Sequence, residues 1–300
     1  MSLSHFATRL SEAIRSSGTP LCMGIDPHLS MMPGLFGDVS TAGSPSTIRA
    51  IEDFTLACLD AATGRVAAIK PQAAFFEAQG HEGMRVLARL GRAAIEAGML
   101  VIMDAKRNDI GSTNAAYADA WIGHDAPFPS DALTVNAFLG MDTLEPLLAR
   151  ADATGSGLFV LTRTSNPGAG AIQDLDVDGK PLFNRLAEQL APLAAARCDD
   201  QGGSSLGIVA GATWPDEARA LRAILPSSPF LVPGFGAQGA GPADALAGLR
   251  RTGTGWDGGL INSTRGLIFP KAAGEATSIS AWRQAIDDAI EASRSALDGV

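Results

Sequence analysis

The chain has 300 residues, 46% hydrophobic and 18% charged, which is more than a minimal domain needs and enough to bury a sizeable core. Its formal charge is −9 with no block of lysines and arginines, which argues against nucleic acid or an anionic membrane as partner. A small anionic ligand remains allowed, because a few local cations outweigh a weak global field.

Residues 2–17 set Leu3, Phe6, Leu10 and Ile14 at helical spacing. This predicts an N-terminal docking helix rather than a signal peptide, whose apolar stretch is unbroken. The longest apolar runs, such as 99–103, are far too short to span a bilayer, so a soluble, cytoplasmic protein is expected. Cys22, Cys58 and Cys198 are odd in number and lack metal-like spacing, and read as structural thiols of a reducing compartment. Strand-like apolar runs recur at 21–26, 66–70, 100–104, 132–136, 158–163, 206–210, 230–233 and 260–263. Each ends in polar or glycine-rich residues and leads into an amphipathic helical stretch. Eight such units predict α/β architecture, a closed (β/α)8 TIM barrel occupying residues 1–300 as one domain, with an open doubly wound sheet as the alternative. Asp142 with Glu145 predicts a capped helix start, as does the run Thr213-Trp214-Pro215-Asp216-Glu217. Two connections, 27–47 and 166–183, are long, and long loops after barrel strands lie on the catalytic face.

The strands end in Asp26, Lys70, Asp104 and Asn136, and Arg265 follows the last one. Each alone has a structural reading as a helix cap or surface charge, but in a barrel all five converge on one mouth, as in an active site. Asp104 and Lys106 are two apart, so an extended backbone would send both side chains to the same side. Opposite charges about 4 Å apart attract by roughly 4 kcal/mol at an effective dielectric near 20. That keeps Lys106 charged, suiting a proton donor better than a Schiff-base nucleophile, although a plain salt bridge at the rim would look the same. Gly234, Gly236 and Gly239, with Asp257 downstream, fit a dinucleotide fingerprint, but only one strand remains after them. A phosphate held by glycine backbone, a helix N-terminus, Gln238 and Arg265 is the simpler reading. His5, His28, His81 and His124 show no ligand spacing, so no metal site is expected, and the four tryptophans read as helix packing.

The run Asp104-Ala105-Lys106-Arg107-Asn108-Asp109-Ile110-Gly111-Ser112-Thr113 resembles the signature that orotidine 5′-phosphate decarboxylases carry after their third strand, Asp-x-Lys-x-x-Asp-Ile-x-x-Thr. Further landmarks match in order: Asp26, Lys70, Thr164-Ser165-Asn166-Pro167, Val209-Ala210-Gly211-Ala212-Thr213, the Pro233 to Gly239 run, and Asn262-Ser263-Thr264-Arg265-Gly266. The resemblance covers about residues 20–270 and is to the longer branch of the family. Ala105 and Asn108 stand where glycine is common, and Ala137 where proline is expected. The resemblance implies conversion of orotidine 5′-phosphate to uridine 5′-phosphate without metal or cofactor. It assigns Lys106 as proton donor within a network with Asp104, Lys70 and Asp109. It implies substrate contacts from Asp26 and Thr113 to ribose, Ser165 to the base, Gln238 and Arg265 to phosphate, and further contacts from Asn136, Asn166 and Pro233. It also implies a homodimer in which Asp109 and Thr113 reach the neighbouring site. Two competitors stay open. A metal-assisted sugar-phosphate decarboxylase or aldolase would need a carboxylate where Lys70 stands, and a phosphate-ligand binding protein would not need a lysine caged by carboxylates.

Overall fold

The eight apolar runs become eight parallel strands in the computed structural model, which describes residues 4–236, 239–253 and 255–300. They are β1 (Leu21–Ile25), β2 (Ala68–Pro71), β3 (Leu100–Arg107), β4 (Ala132–Val135), β5 (Gly157–Arg163), β6 (Leu206–Ala210), β7 (Phe230–Pro233) and β8 (Gly259–Ser263). Each pairs with its sequence neighbour, and β8 returns to β1 through Leu21 opposite Ile261, closing a TIM barrel. The open-sheet alternative is therefore excluded. Most strand residues are buried on both faces, as a helix-covered parallel sheet requires.

The principal helices are α1 (Phe6–Ser17), α2 (Pro45–Ala62), α3 (Gly80–Glu96), α4 (Gly111–Trp121), α5 (Glu145–Thr154), α6 (Leu182–Ala195), α7 (Pro215–Ile224), α8 (Pro242–Leu246) and α9 (Ile279–Asp298). An outer core lies between these helices and the strands. A second, inner cluster joins Phe6, Leu10 and Ile14 of α1 to inward-facing Cys22, Ala68, Ile102, Phe159, Leu231 and Leu260. Helix α1 thus stoppers the barrel at the N-terminal end of its strands. Gly157 makes this docking possible, since a Cβ there would lie 2.3 Å from the Phe6 ring. Burying a side chain such as Phe6 or Leu10 contributes about 1.5–3 kcal/mol.

Two helix starts differ from expectation. Helix α5 is entered through a 3-10 turn at Met141–Leu144, and its N-cap, Leu144, has no side-chain bond, so Asp142 does not cap it. Helix α7 keeps Pro215, Asp216 and Glu217 in its first turn, but its N-cap is Trp214, again without a side-chain bond. The long connections hold structure of their own. The first carries 3-10 turns at Leu29–Met31 and Gly34–Phe36 before α2, which Ser44 caps. The second is an arm built from the short helix Gly170–Gln173 and a hairpin pairing Asp176–Val177 with Lys180–Pro181. Cys22 and Cys58 are buried free thiols, whereas Cys198 is free and exposed.

Candidate active site

At the C-terminal end of the strands, Asp104 is the hub. Its Oδ2 accepts from Lys70 Nζ at 2.7 Å and Gln72 Nε2 at 3.0 Å. Its Oδ1 accepts from Lys106 Nζ at 2.5 Å and Thr134 Oγ1 at 2.9 Å. Burial alone would raise the Asp104 carboxyl, but Lys70 and then Lys106 outweigh it and hold the group below the usual carboxylate range. Burial would likewise depress Lys70, yet Asp104 and Asp26 keep its ammonium above the ordinary lysine range. Both groups are therefore ionised, and Lys70 has a mere 4% of its surface exposed.

The Asp104–Lys106 pair forms by a different route from the extended alternation expected. Lys106 has φ of +49°, in the left-handed region that costs a non-glycine residue about 1–2 kcal/mol. It sits in an irregularity of β3, where the register jumps between Met103 and Arg107. Such bulges re-aim side chains at barrel rims.

Lys70, Asp104, Lys106, Asn136, Ser165, Asn166 and Pro233 line one cavity of about 830 Å3, with Leu161, Val209 and Leu231 as an apolar floor. Asp26, Asp109, Thr113 and Arg265 are not in this lining. Asp26 ends β1 beside Lys70; burial pushes its carboxyl up, and its Oδ1 is buried without a partner. Among the described residues, Asp109 bonds only the next backbone N–H, of Ile110, while Thr113 and Arg265 are exposed. Gln238 lies outside the described residues.

Ser165 is placed by residues that sequence reasoning missed. Arg163, buried at the end of β5, lies 2.9 Å from Asp174 of the arm, with its guanidinium 4.1 Å from the Trp214 ring centre and 5.2 Å from that of Phe183. Trp214 Nε1 donates to the Thr164 carbonyl at 3.1 Å, and Gln173 Oε1 accepts from Thr164 N at 3.0 Å. Trp214 therefore holds the arm rather than packing helices. Gly211, after β6, lets Ser165 close in, since a Cβ there would come within 2.9 Å of Ser165 Cα.

Asp257 rules against the dinucleotide reading. It belongs to the hairpin of Arg250–Thr252 and Gly255–Asp257 and accepts from Ser11 of α1, at the far end of the barrel. Among the described residues, no three His, Cys, Asp or Glu side chains are grouped to hold a metal ion.

A model of the family described as orotidine 5′-phosphate decarboxylase / HUMPS matches residues 19–271. The chain belongs to this family. An orotidine 5′-phosphate decarboxylase of Rhodopirellula baltica is 43% identical over 289 residues, covering 94% of this chain and 95% of the relative. The Streptomyces coelicolor protein of that name is 45% identical over 242 residues, covering 80% and 82%. A crystal structure assigned to orotidine 5′-phosphate decarboxylase, from Streptomyces avermitilis, superposes with a TM-score of 0.80 at 38% identity, covering 99% of this chain and 97% of that one. The decarboxylase family match spans all eight strands and the Lys70–Asp104–Lys106 network.

Proposed function

We propose that this chain is an orotidine 5′-phosphate decarboxylase, producing uridine 5′-phosphate for pyrimidine nucleotide synthesis. The observation that carries the mechanism is the buried carboxylate of Asp104 held between two ammonium groups at the floor of a nucleotide-sized mouth. The bond between the ring carbon and its carboxylate breaks, carbon dioxide leaves, and the electron pair stays on the ring. Lys106 Nζ then donates its proton to that carbon and regains one from solvent. The carbanion has no adjacent carbonyl to spread its charge, so the stabilisation required lies toward the upper end of the ~8–23 kcal/mol typical of enzymes. Preorganised fixed charges are the effect of sufficient size. Lys70 and Lys106 supply the positive field, and Asp104 keeps both in place.

Ser165, on its anchored arm, meets the base; Asn136, Asn166 and Pro233 shape the cavity; and the unpartnered Asp26 Oδ1 takes a ribose hydroxyl. Arg265 and Gln238, after β8 and β7, hold the phosphate. Asp109 and Thr113 turn away from their own cavity toward that of a second subunit in a homodimer. The exposed Ile110, Phe138 and Leu139 supply an apolar rim for that interface. No helix among the described residues is long and apolar enough to cross a membrane, and three free cysteines support a reducing cytoplasm.

Lys70 also separates this reading from the metal-assisted one, because an ammonium in the place of a metal-binding carboxylate repels a cation. The test is the loss of orotidine 5′-phosphate absorbance, measured before and after dialysis against chelator. Turnover unchanged by chelator is expected. Absent turnover would remove the decarboxylase reading, and loss restored by magnesium or zinc would favour the metal-assisted one.

A further inference from the structure

Between the pairs Met103–Leu133 and Arg107–Val135, β3 has three residues, 104 to 106, where β4 has one. Only Thr134 faces the extra length, and the backbone N–H of Lys106 donates to the Thr134 hydroxyl at 3.0 Å. That hydroxyl donates in turn to Asp104 Oδ1 at 2.9 Å, the oxygen that also receives Lys106 Nζ. The direction of each bond is fixed by chemistry: a backbone N–H only donates, an ionised carboxylate only accepts, and a hydroxyl does both. Thr134 therefore closes a ring that runs from the Lys106 backbone through the hydroxyl and carboxylate to the Lys106 amine. Thr134 borders the cavity yet is only 1% exposed, so its hydroxyl is committed to this ring.

We propose that Thr134 is a positioning residue for proton transfer, holding Lys106 in the left-handed conformation that aims its amine into the cavity. This rests on the decarboxylase reading above. A strained backbone persists only where its surroundings over-determine it, and here the Thr134 hydroxyl is the contact that ties that backbone to the carboxylate.

The test compares Thr134→Val, which keeps the shape and deletes the hydroxyl, with Thr134→Ser, which keeps the hydroxyl. Loss of a hydrogen bond to a charged group in the reacting network predicts a kcat lower by about 10–100-fold for the valine variant. KM and uridine 5′-phosphate affinity should stay within about threefold, and serine should restore kcat to within about fivefold. Unchanged kcat in the valine variant, a KM that rises as far as kcat falls, or no rescue by serine would each overturn the proposal. Thr134→Ala replaces the valine variant if the latter fails to fold. A crystal structure of the variant gives an arm independent of substrate: the Lys106 amine should move by about 1 Å or more, enough to misalign a reacting group. If wild-type protein does not turn over orotidine 5′-phosphate, the decarboxylase reading fails alone. A Lys106 left unmoved by loss of the hydroxyl sinks the positioning role whatever the substrate.

Discussion

Asp26 shows how a single residue can be held at a cost to stability. Burial raises its carboxyl pKa, with Lys70 only partly offsetting this, and one oxygen has no partner. A carboxyl raised in the folded state favours folding fully below the unfolded value, near 3.9, and that contribution is lost as pH rises through the folded value. At neutral pH, Asp26 therefore opposes folding. Asp26→Asn should melt above the parent at pH 7, with the gap closing as pH falls toward the ordinary aspartate range, while KM rises through loss of the proposed ribose contact. A variant that melts lower at pH 7 would contradict this assignment. At this scale the sequence was informative for charged groups, since Lys70, Asp104 and Lys106 stand at the ends of apolar runs. It was silent on Gln72 and Thr134, because a lone polar residue in or beside a strand carries no mark of what its hydrogen bond will reach.

Among the elements, strands were legible and arms were not. A parallel strand buried on both faces reads as a continuous apolar run, so β6 and β7 fall where expected. Strand β3 runs on to Arg107 because polar residues continue it through the irregularity at Lys106, which breaks the apolar signal. Helices α5 and α7 lie where the sequence predicts but lack the side-chain caps expected, because a 3-10 turn or a proline can begin a helix without one. The arm after β5 gave least away, since its anchor, Arg163, pairs with residues as distant in sequence as Glu217. Planarity is what lets this guanidinium stack on Trp214 while reaching Asp174, and a lysine ammonium cannot do both. Arg163→Lys should therefore loosen the arm, raising KM for the nucleotide about tenfold or more and exposing residues 164–181 to limited proteolysis. Unaltered KM together with unaltered cleavage would show that the arm holds without it.

For the whole molecule, the question is whether one chain owns a complete site. Asp109 lies two residues beyond the end of β3, outside the lining of its own cavity. Lys106→Ala and Asp109→Ala proteins should each be nearly inactive. After co-refolding, about half of the dimers would be mixed, and in each of these one site carries both lesions and the other neither. Activity near a quarter of the parent is therefore expected under random pairing. No recovery, with mixed dimers shown to form, would return Asp109 to its own barrel. The closed barrel itself was visible from eight beats in the sequence, whereas the apolar rim proposed for a dimer was not, since exposed Ile110 and Phe138 carry no periodic signal. The stopper formed by α1 has a consequence for traffic. A barrel sealed at one end is a cul-de-sac, so nucleotide, carbon dioxide and the replacement proton share a single doorway. Nothing can be pushed out of the back by an incoming molecule. Departure of one nucleotide must precede arrival of the next, and uridine 5′-phosphate should compete with orotidine 5′-phosphate for the vacant enzyme at every concentration.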